Sequence, residues 1–253
     1  MYLVGGREGG PGSAGNPAGF PRITPALLAQ GWPGPDGSWL RLVQAGEAAQ
    51  VERLFGAAGI PLTSDLAAHI DAGDVATTSL QGLVGGPDRL LGLLAEALVA
   101  GDPTSVLPGL VTVLVAVERT GELTGALLAA PPSSALAAAA ADGVELARVM
   151  YAAVTVTNVQ AVAVDARARG RGLGTALLRR CAQLHHQLGF YLMYGQFRSD
   201  SGLDAYYSRR AFEVLPEGDG IPLARLGLPI RIGADIGERL FLRWRRVPVQ
   251  LAQ

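Results

Sequence analysis

Arg169, Gly172 and Gly174 are spaced as R-x-x-G-x-G, with Gly170, Arg171, Leu173 and Thr175 filling and closing the pattern. Glycines at this density let a backbone approach a ligand with no Cβ in the way. N–H groups turned to one side bind an anion, and a helix N-terminus adds partial positive charge. Flanking arginines add formal charge. The chemistry such a set performs is to hold a phosphate. Two better-known phosphate loops do not fit. The P-loop ends in Gly-Lys-Ser/Thr, and this chain has no lysine. The dinucleotide fingerprint G-x-G-x-x-G needs a third glycine where Thr175 stands. A second set lies downstream, at Tyr207-Ser208-Arg209-Arg210-Ala211-Phe212.

The surrounding elements must position these groups. Val159-Gln160-Ala161-Val162-Ala163-Val164 reads as an apolar strand, Asp165 to Ala168 as a turn, and Ala176 to Cys181 as the body of a helix. Strand, glycine-rich turn and helix start is the arrangement that aims backbone N–H groups at a phosphate. A glycine-rich turn with no ligand would carry the same six residues, so the rest of the chain has to decide.

At 253 residues and 49% apolar, the chain can bury one large core or a core with an extension. Its net charge of −1 gives no support to nucleic-acid binding through bulk electrostatics. Cys181 is the single cysteine, so no disulfide closes within the chain, and His69, His185 and His186 have no metal-ligand spacing. No metal is expected. The N-terminus lacks the basic and apolar regions of a signal peptide. The apolar run from Leu123 to Ala141 is broken by Pro131-Pro132-Ser133-Ser134, which argues against a membrane span. A cytoplasmic setting is the expectation.

Met1 to Ser38 is dense in Gly and Pro and reads as a flexible arm, in which only Phe20 to Leu28 could dock. The domain is expected over residues 39–253. Trp39 to Val43 alternates as a strand, and Ala45 to Ala58 has helical spacing. Ser64-Asp65 caps a second helix, Asp74 to Gly86 reads as a loop, and Pro87 opens a helix that runs to Ala100. Leu110 to Val117 and Leu123 to Ala130 form a strand pair, followed by alanine-rich helices over Ser134 to Tyr151. Beyond the loop helix come a strand at Tyr191 to Phe197, a short helix at Leu203 to Arg210, a strand at Phe212 to Leu215, and a last strand from Glu238. Cys181 falls on the apolar face of the loop helix and reads as core. His185 and His186 read as ordinary residues of a helix end. Interleaved helices and strands argue an α/β or α+β fold.

With R-x-x-G-x-G opening a helix after a strand, and Tyr-x-x-x-Ala-Phe at the usual distance beyond it, the chain resembles the GCN5-related N-acetyltransferase (GNAT) family from about Trp39 to Arg246. That resemblance implies a mixed, mostly antiparallel central sheet flanked by helices. It implies acetyl-CoA as co-substrate, with Arg169, Gly170, Arg171, Gly172, Leu173, Gly174 and Thr175 at the pyrophosphate. The backbone of Val162, Ala163 and Val164 would pair with pantetheine where this strand splays from its neighbour. It implies acetyl transfer to a primary amine by direct attack while both substrates are bound, with Tyr207 as the acid and Tyr206 packing. Dimers are common in the family.

Three departures stand out. Asn158 occupies the position where many members carry a glutamate base, and neither it nor Gln160 can take a proton at neutral pH. Asp200 replaces a pantetheine-contacting Asn, and Ala211 replaces a Gly. The base is then water, an inserted residue such as Asp74, Asp88 or Glu145, or absent. The segments 74–109, 130–157 and 216–237 are expected to shape the acceptor pocket. Their weakly charged character favours a small or apolar acceptor over a polybasic tail. Other acyl groups, a hydroxyl acceptor, and a CoA-binding interaction module without catalysis remain as alternatives.

Overall fold

The computed structural model describes residues 22–245. In chain order the elements are α1 (Pro25–Gln30), β1 (Trp32–Pro33), β2 (Trp39–Leu42), α2 (Ala48–Gly56), α3 (Ser64–Ala72), α4 (Thr77–Gly85) and α5 (Pro87–Val99). There follow β3 (Thr112–Val117), β4 (Leu123–Ala130), α6 (Ser133–Ala141), α7 (Leu146–Ala153), β5 (Val156–Val164) and α8 (Leu173–Gln187). The chain ends through β6 (Leu192–Arg198), α9 (Asp204–Ser208), β7 (Glu213–Val214), β8 (Ile221–Pro222), β9 (Arg231–Ile232) and β10 (Glu238–Trp244). Eight strands make one sheet in the order β1-β2-β3-β4-β5-β6-β10-β7, and β8 pairs with β9 alone. Neighbours in the large sheet are antiparallel except β5 and β6, which run parallel. The parallel pair needs a long crossover, and α8 supplies it. This is the helix-flanked, mostly antiparallel mixed sheet that the family resemblance implies.

Period-two side-chain alternation divides the core. In β3, Leu114 and Ala116 join one apolar cluster, and Val113, Val115 and Val117 join another. The first cluster lies under α1, α4, α5, α8 and α9. The opposite face is covered by α2 and α3 at one end of the sheet. At the other end it is covered by α6, α7 and the β8–β9 pair. The sheet is therefore buried on both faces, which explains why β3 and β4 read as continuous apolar runs.

Four expectations change. Packing extends past the Phe20 to Leu28 stretch expected to be able to dock, as far as Trp32; residues 1–21 lie outside the described residues. Ile23, Leu28 and Trp32 are buried in the first cluster. Gln187 exchanges two hydrogen bonds with the Ile23 backbone, and β1 pairs with β2. Three apolar anchors outweigh the ordering entropy that a Gly/Pro-rich composition predicts. Residues 77–85 form α4 and not a loop, because Thr78, Ser79, Gly82 and Leu83 are buried against the core. Tertiary packing overrides weak local propensity there. Thr63, not Ser64, caps α3, accepting from Leu66 N. His185 is not a solvated residue of a helix end. It is fully buried, with Nδ1 donating to Cys181 O at 2.9 Å. Among the described residues no helix is long and apolar enough to cross a membrane.

Candidate active site

The site begins where two strands part. β5 and β6 pair only from Val156↔Leu192 to Val159↔Gly195. β5 then runs on to Val164 against β4, while β6 runs on to Arg198 against β10. The β4–β5 register shifts between Leu128 and Ala129, leaving Gln160 as an extra residue in β5. A bulge bends its strand and ends regular pairing. The edge of β5 from Gln160 to Val164 is therefore unpaired on the β6 side and holds Val162, Ala163 and Val164. Gly195 marks the parting point. A Cβ there would collide with the Phe241 ring and lie 2.6 Å from Val159 O, so only glycine fits.

The turn beyond β5 is fixed locally. Asp165 Oδ1 accepts from Arg167 N at 3.0 Å, and Ala168 is buried. Gly172 is the N-cap of α8 at φ +85°, a left-handed conformation that costs an L side chain about 1–2 kcal/mol. No side chain caps this helix start, so its first-turn N–H groups have no partner along the helix. Leu173, buried at the helix start, anchors that turn to the core. Gly174 lies over the end of β5: a Cβ on it would stand 3.6 Å from the Val164 side chain and 3.7 Å from that of Val162. The arginines of the motif are engaged away from the helix start, Arg169 at the end of β5 and Arg171 on two carboxylates. Arg169 Nε donates to Val164 O at 3.2 Å, and Arg171 is held by Asp36 and Glu118, each at 3.4 Å. The cation that meets the helix start is Arg210, beyond α9. Its Nε and Nη2 reach Thr175 Oγ1 at 2.8 and 2.6 Å.

Tyr207 is buried in a nest of rings. It stacks on Phe241 at 3.8 Å between centroids and lies 5.2 Å from Phe197 and 6.1 Å from Phe212. Phe241 in turn covers Gly195, so Tyr207 adjoins the parting point through one ring. Burial first, then Tyr206, push its phenol above the ordinary tyrosine range, which keeps it protonated. Tyr206 does more than pack: its hydroxyl would lie 3.1 Å from a Cβ on Gly174, over the end of β5. Ala211 adopts φ +61°, which explains physically why a glycine suits this position. Asp200 is ion-paired with Arg198 at 2.7 Å, and that holds its carboxyl below the ordinary range.

On the α6–α7 face, strand register aligns Asn158 with Tyr194, Tyr194 with Leu242, Gln196 with Leu240, and Arg198 with Glu238. Aligned residues share a face, so Asn158, Tyr194, Gln196 and Glu238 all look to the side away from α8. Gln196 Nε2 donates to Asp235 at 2.6 Å. Glu238 Oε2 is buried without a hydrogen-bond partner. Burial first, then the Asp235 charge, raise the Glu238 carboxyl above its ordinary range, against the pull of Arg198. Asp74, Asp88 and Glu145 are all exposed. Asp74 pairs with His69 and Glu145 with Arg148. Sequence reasoning missed Glu238 and Arg210. Glu238 sits in an alternating strand next to a Gly/Pro-rich stretch, and no local signal shows which groups it faces. Arg210 lies inside the Tyr-x-x-x-Ala-Phe stretch, where its position between Tyr207 and Phe212 was visible but its partner Thr175 was not.

Residues 103–212 match the family model described as the acetyltransferase (GNAT) family. No curated protein matches the chain. Among solved structures, the chain is similar to yncA of Salmonella typhimurium, solved with its cofactor acetyl-CoA. Identity is 15% over 86% of this chain and 98% of that one, with a TM-score of 0.45. An acetyltransferase of the GNAT family from Staphylococcus aureus Mu50 is 9% identical over 82% and 98%, with a TM-score of 0.46. The Ard1 protein of Thermoplasma volcanium is 14% identical over 83% and 97%, with a TM-score of 0.44.

Proposed function

We propose that this protein, whose residues 103–212 match the model of the acetyltransferase (GNAT) family, transfers the acetyl group of acetyl-CoA to a primary amine, with both substrates bound together. The observation that carries the reading is the unpaired edge of β5 running into the uncapped start of α8. Pantetheine would add to that edge as a short strand, through main-chain bonds to Val162, Ala163 and Val164. The pyrophosphate would take the N–H groups between Arg169 and Thr175. Residues 22–245 act as one transferase unit in this reading, working in the cytoplasm.

Holding two substrates in line supplies much of the rate. The amine nitrogen attacks the thioester carbonyl, a C–N bond forms, and the C–S bond breaks. The departing thiolate takes a proton from Tyr207, whose buried phenol is protonated at neutral pH. Asn158 cannot deprotonate the incoming ammonium. Glu238 shares its face of the sheet, has an unpartnered carboxylate oxygen and a raised pKa, and is the base in this reading. The acceptor, a small molecule or a peptide amine, enters on the Asn158, Gln196 and Glu238 side.

Calorimetric titration with acetyl-CoA, on the parent and on Gly174→Asp, tests the cofactor half. An aspartate in the first turn suits the helix dipole, so the variant is expected to fold while its carboxylate repels the phosphates. Binding by the parent and loss in the variant are expected, followed by thiol release with a primary amine from a panel. A folded parent that ignores acetyl-CoA would sink the proposal. Binding without turnover on any amine would remove the transferase half.

A further inference from the structure

The start of α8 is served by an arginine that the loop motif does not contain. Arg210 is 35 residues from Thr175 in sequence, yet two of its N–H groups converge on Thr175 Oγ1 at 2.8 and 2.6 Å. A third reaches Tyr206 O, and the guanidinium carbon lies 3.4 Å from the centroid of the Tyr206 ring. All three hydrogen bonds end on neutral oxygens, so none of them balances its charge. Arg171, inside the motif, spends its charge on Asp36 and Glu118.

The chemistry of the hydroxyl gives this arrangement a direction. A threonine hydroxyl has two acceptor lone pairs and one proton. Two N–H groups of one guanidinium fork onto this oxygen from the same side. The Thr175 proton then has to turn away from Arg210, as a donor in the first helical turn, beside backbone N–H groups that are donors only. A guanidinium has five N–H groups, and Arg210 keeps two beyond the three engaged here. Donors of three kinds meet in a place that carries a whole positive charge and a helix N-terminus. An oxygen-rich anion satisfies all of them.

We propose that Arg210 is a positioning residue for cofactor phosphate. It locks the Thr175 hydroxyl as a donor toward the pyrophosphate, and it supplies the cation there that Arg171 does not. Tyr206 serves as the platform that keeps the guanidinium plane in place. The inference rests on the acetyl-CoA reading above and adds to it a residue outside the loop.

The test is acetyl-CoA titration of the folded parent, Arg210→Gln, Arg210→Lys, Thr175→Val and the Arg210→Gln/Thr175→Val double variant, at low and high salt. Thermal melts of each confirm folding. Arg210→Gln is expected to weaken binding 10- to 100-fold and to flatten its salt dependence, which a purely structural loss would not do. Thr175→Val is expected to weaken binding several-fold. The double variant should be no weaker than Arg210→Gln alone, because the two residues act as one device. Arg210→Lys keeps a charge and a stem over Tyr206 but cannot make both bonds to one oxygen, so it should recover the salt dependence and only part of the affinity. Parent-like binding by Arg210→Gln, or additive losses in the double variant, would overturn the proposal while leaving the acetyl-CoA reading intact. A parent that does not bind acetyl-CoA overturns both.

Discussion

His185 lets the stability of the loop helix be read as a function of pH. The side chain is completely buried near the end of α8, donates from Nδ1 to Cys181 O, and meets the edge of the Phe190 ring at 4.8 Å. Burial lowers its pKa from 6.5 to about 4, only partly offset by the bond to Cys181. The unfolded chain therefore binds this proton near pH 6.5, and the folded chain binds it only near pH 4. Stability from this group is complete above pH 6.5 and is lost as pH falls toward 4. Linkage puts the loss at roughly 2 kcal/mol by pH 5 and roughly 3 kcal/mol by pH 4. Domains of this kind have about 5–15 kcal/mol in total, so the effect is large. The perturbation is His185→Gln, which keeps a donor for Cys181 O and cannot titrate. The assay is urea unfolding of parent and variant at half-unit steps from pH 7.5 to 4.5. Carboxylates contribute equally to both curves, and so does His186, whose pKa is lowered by burial and then by Arg245 and Arg243. The parent should lose about 2 kcal/mol more than the variant between pH 7 and pH 5. Parallel curves would refute the reasoning, since His185 would then titrate alike in both states.

Three further outcomes are expected. Ala211→Gly should leave stability unchanged or raise it by up to about 1 kcal/mol in chemical denaturation, because release from φ +61° competes with the extra entropy of an unfolded glycine; a loss above that size would contradict the strain. Glu238→Gln should lower kcat about 100-fold and abolish the acidic limb of the pH–rate profile, with acetyl-CoA affinity unchanged. Its raised folded pKa means the carboxylate weakens the fold as pH rises through that pKa, so Glu238→Gln should melt no lower than the parent at pH 8; a lower melt would mark Glu238 as structural. Cys181 should resist Ellman's reagent in the native protein and react once on denaturation, because burial raises its thiol pKa and hides the sulfur; rapid native labelling would show α8 opening.

The sequence by itself determined the parts whose physics is local. The strand, glycine-rich turn and helix start were legible because glycine spacing, a preceding apolar strand and a following helix all lie within one short stretch, and each acts on its neighbours. The α/β or α+β class followed from interleaved elements and the burial of Cys181 from helical spacing, while the mostly antiparallel sheet was implied only by the family resemblance. Only the tertiary structure decided where β5 and β6 part, since that depends on a bulge at Gln160 and on a ring from β10 covering Gly195. It also decided that residues 22–38 are ordered, because Ile23, Leu28 and Trp32 find their partners in distant elements. Glu238 reaches the Asn158 face through two strand registers, and a slip of one residue in either would turn it to the other side. Arg210 reaches Thr175 because α9 is set down against the start of α8. Long-range pairing makes these contacts, and no window of sequence contains both partners.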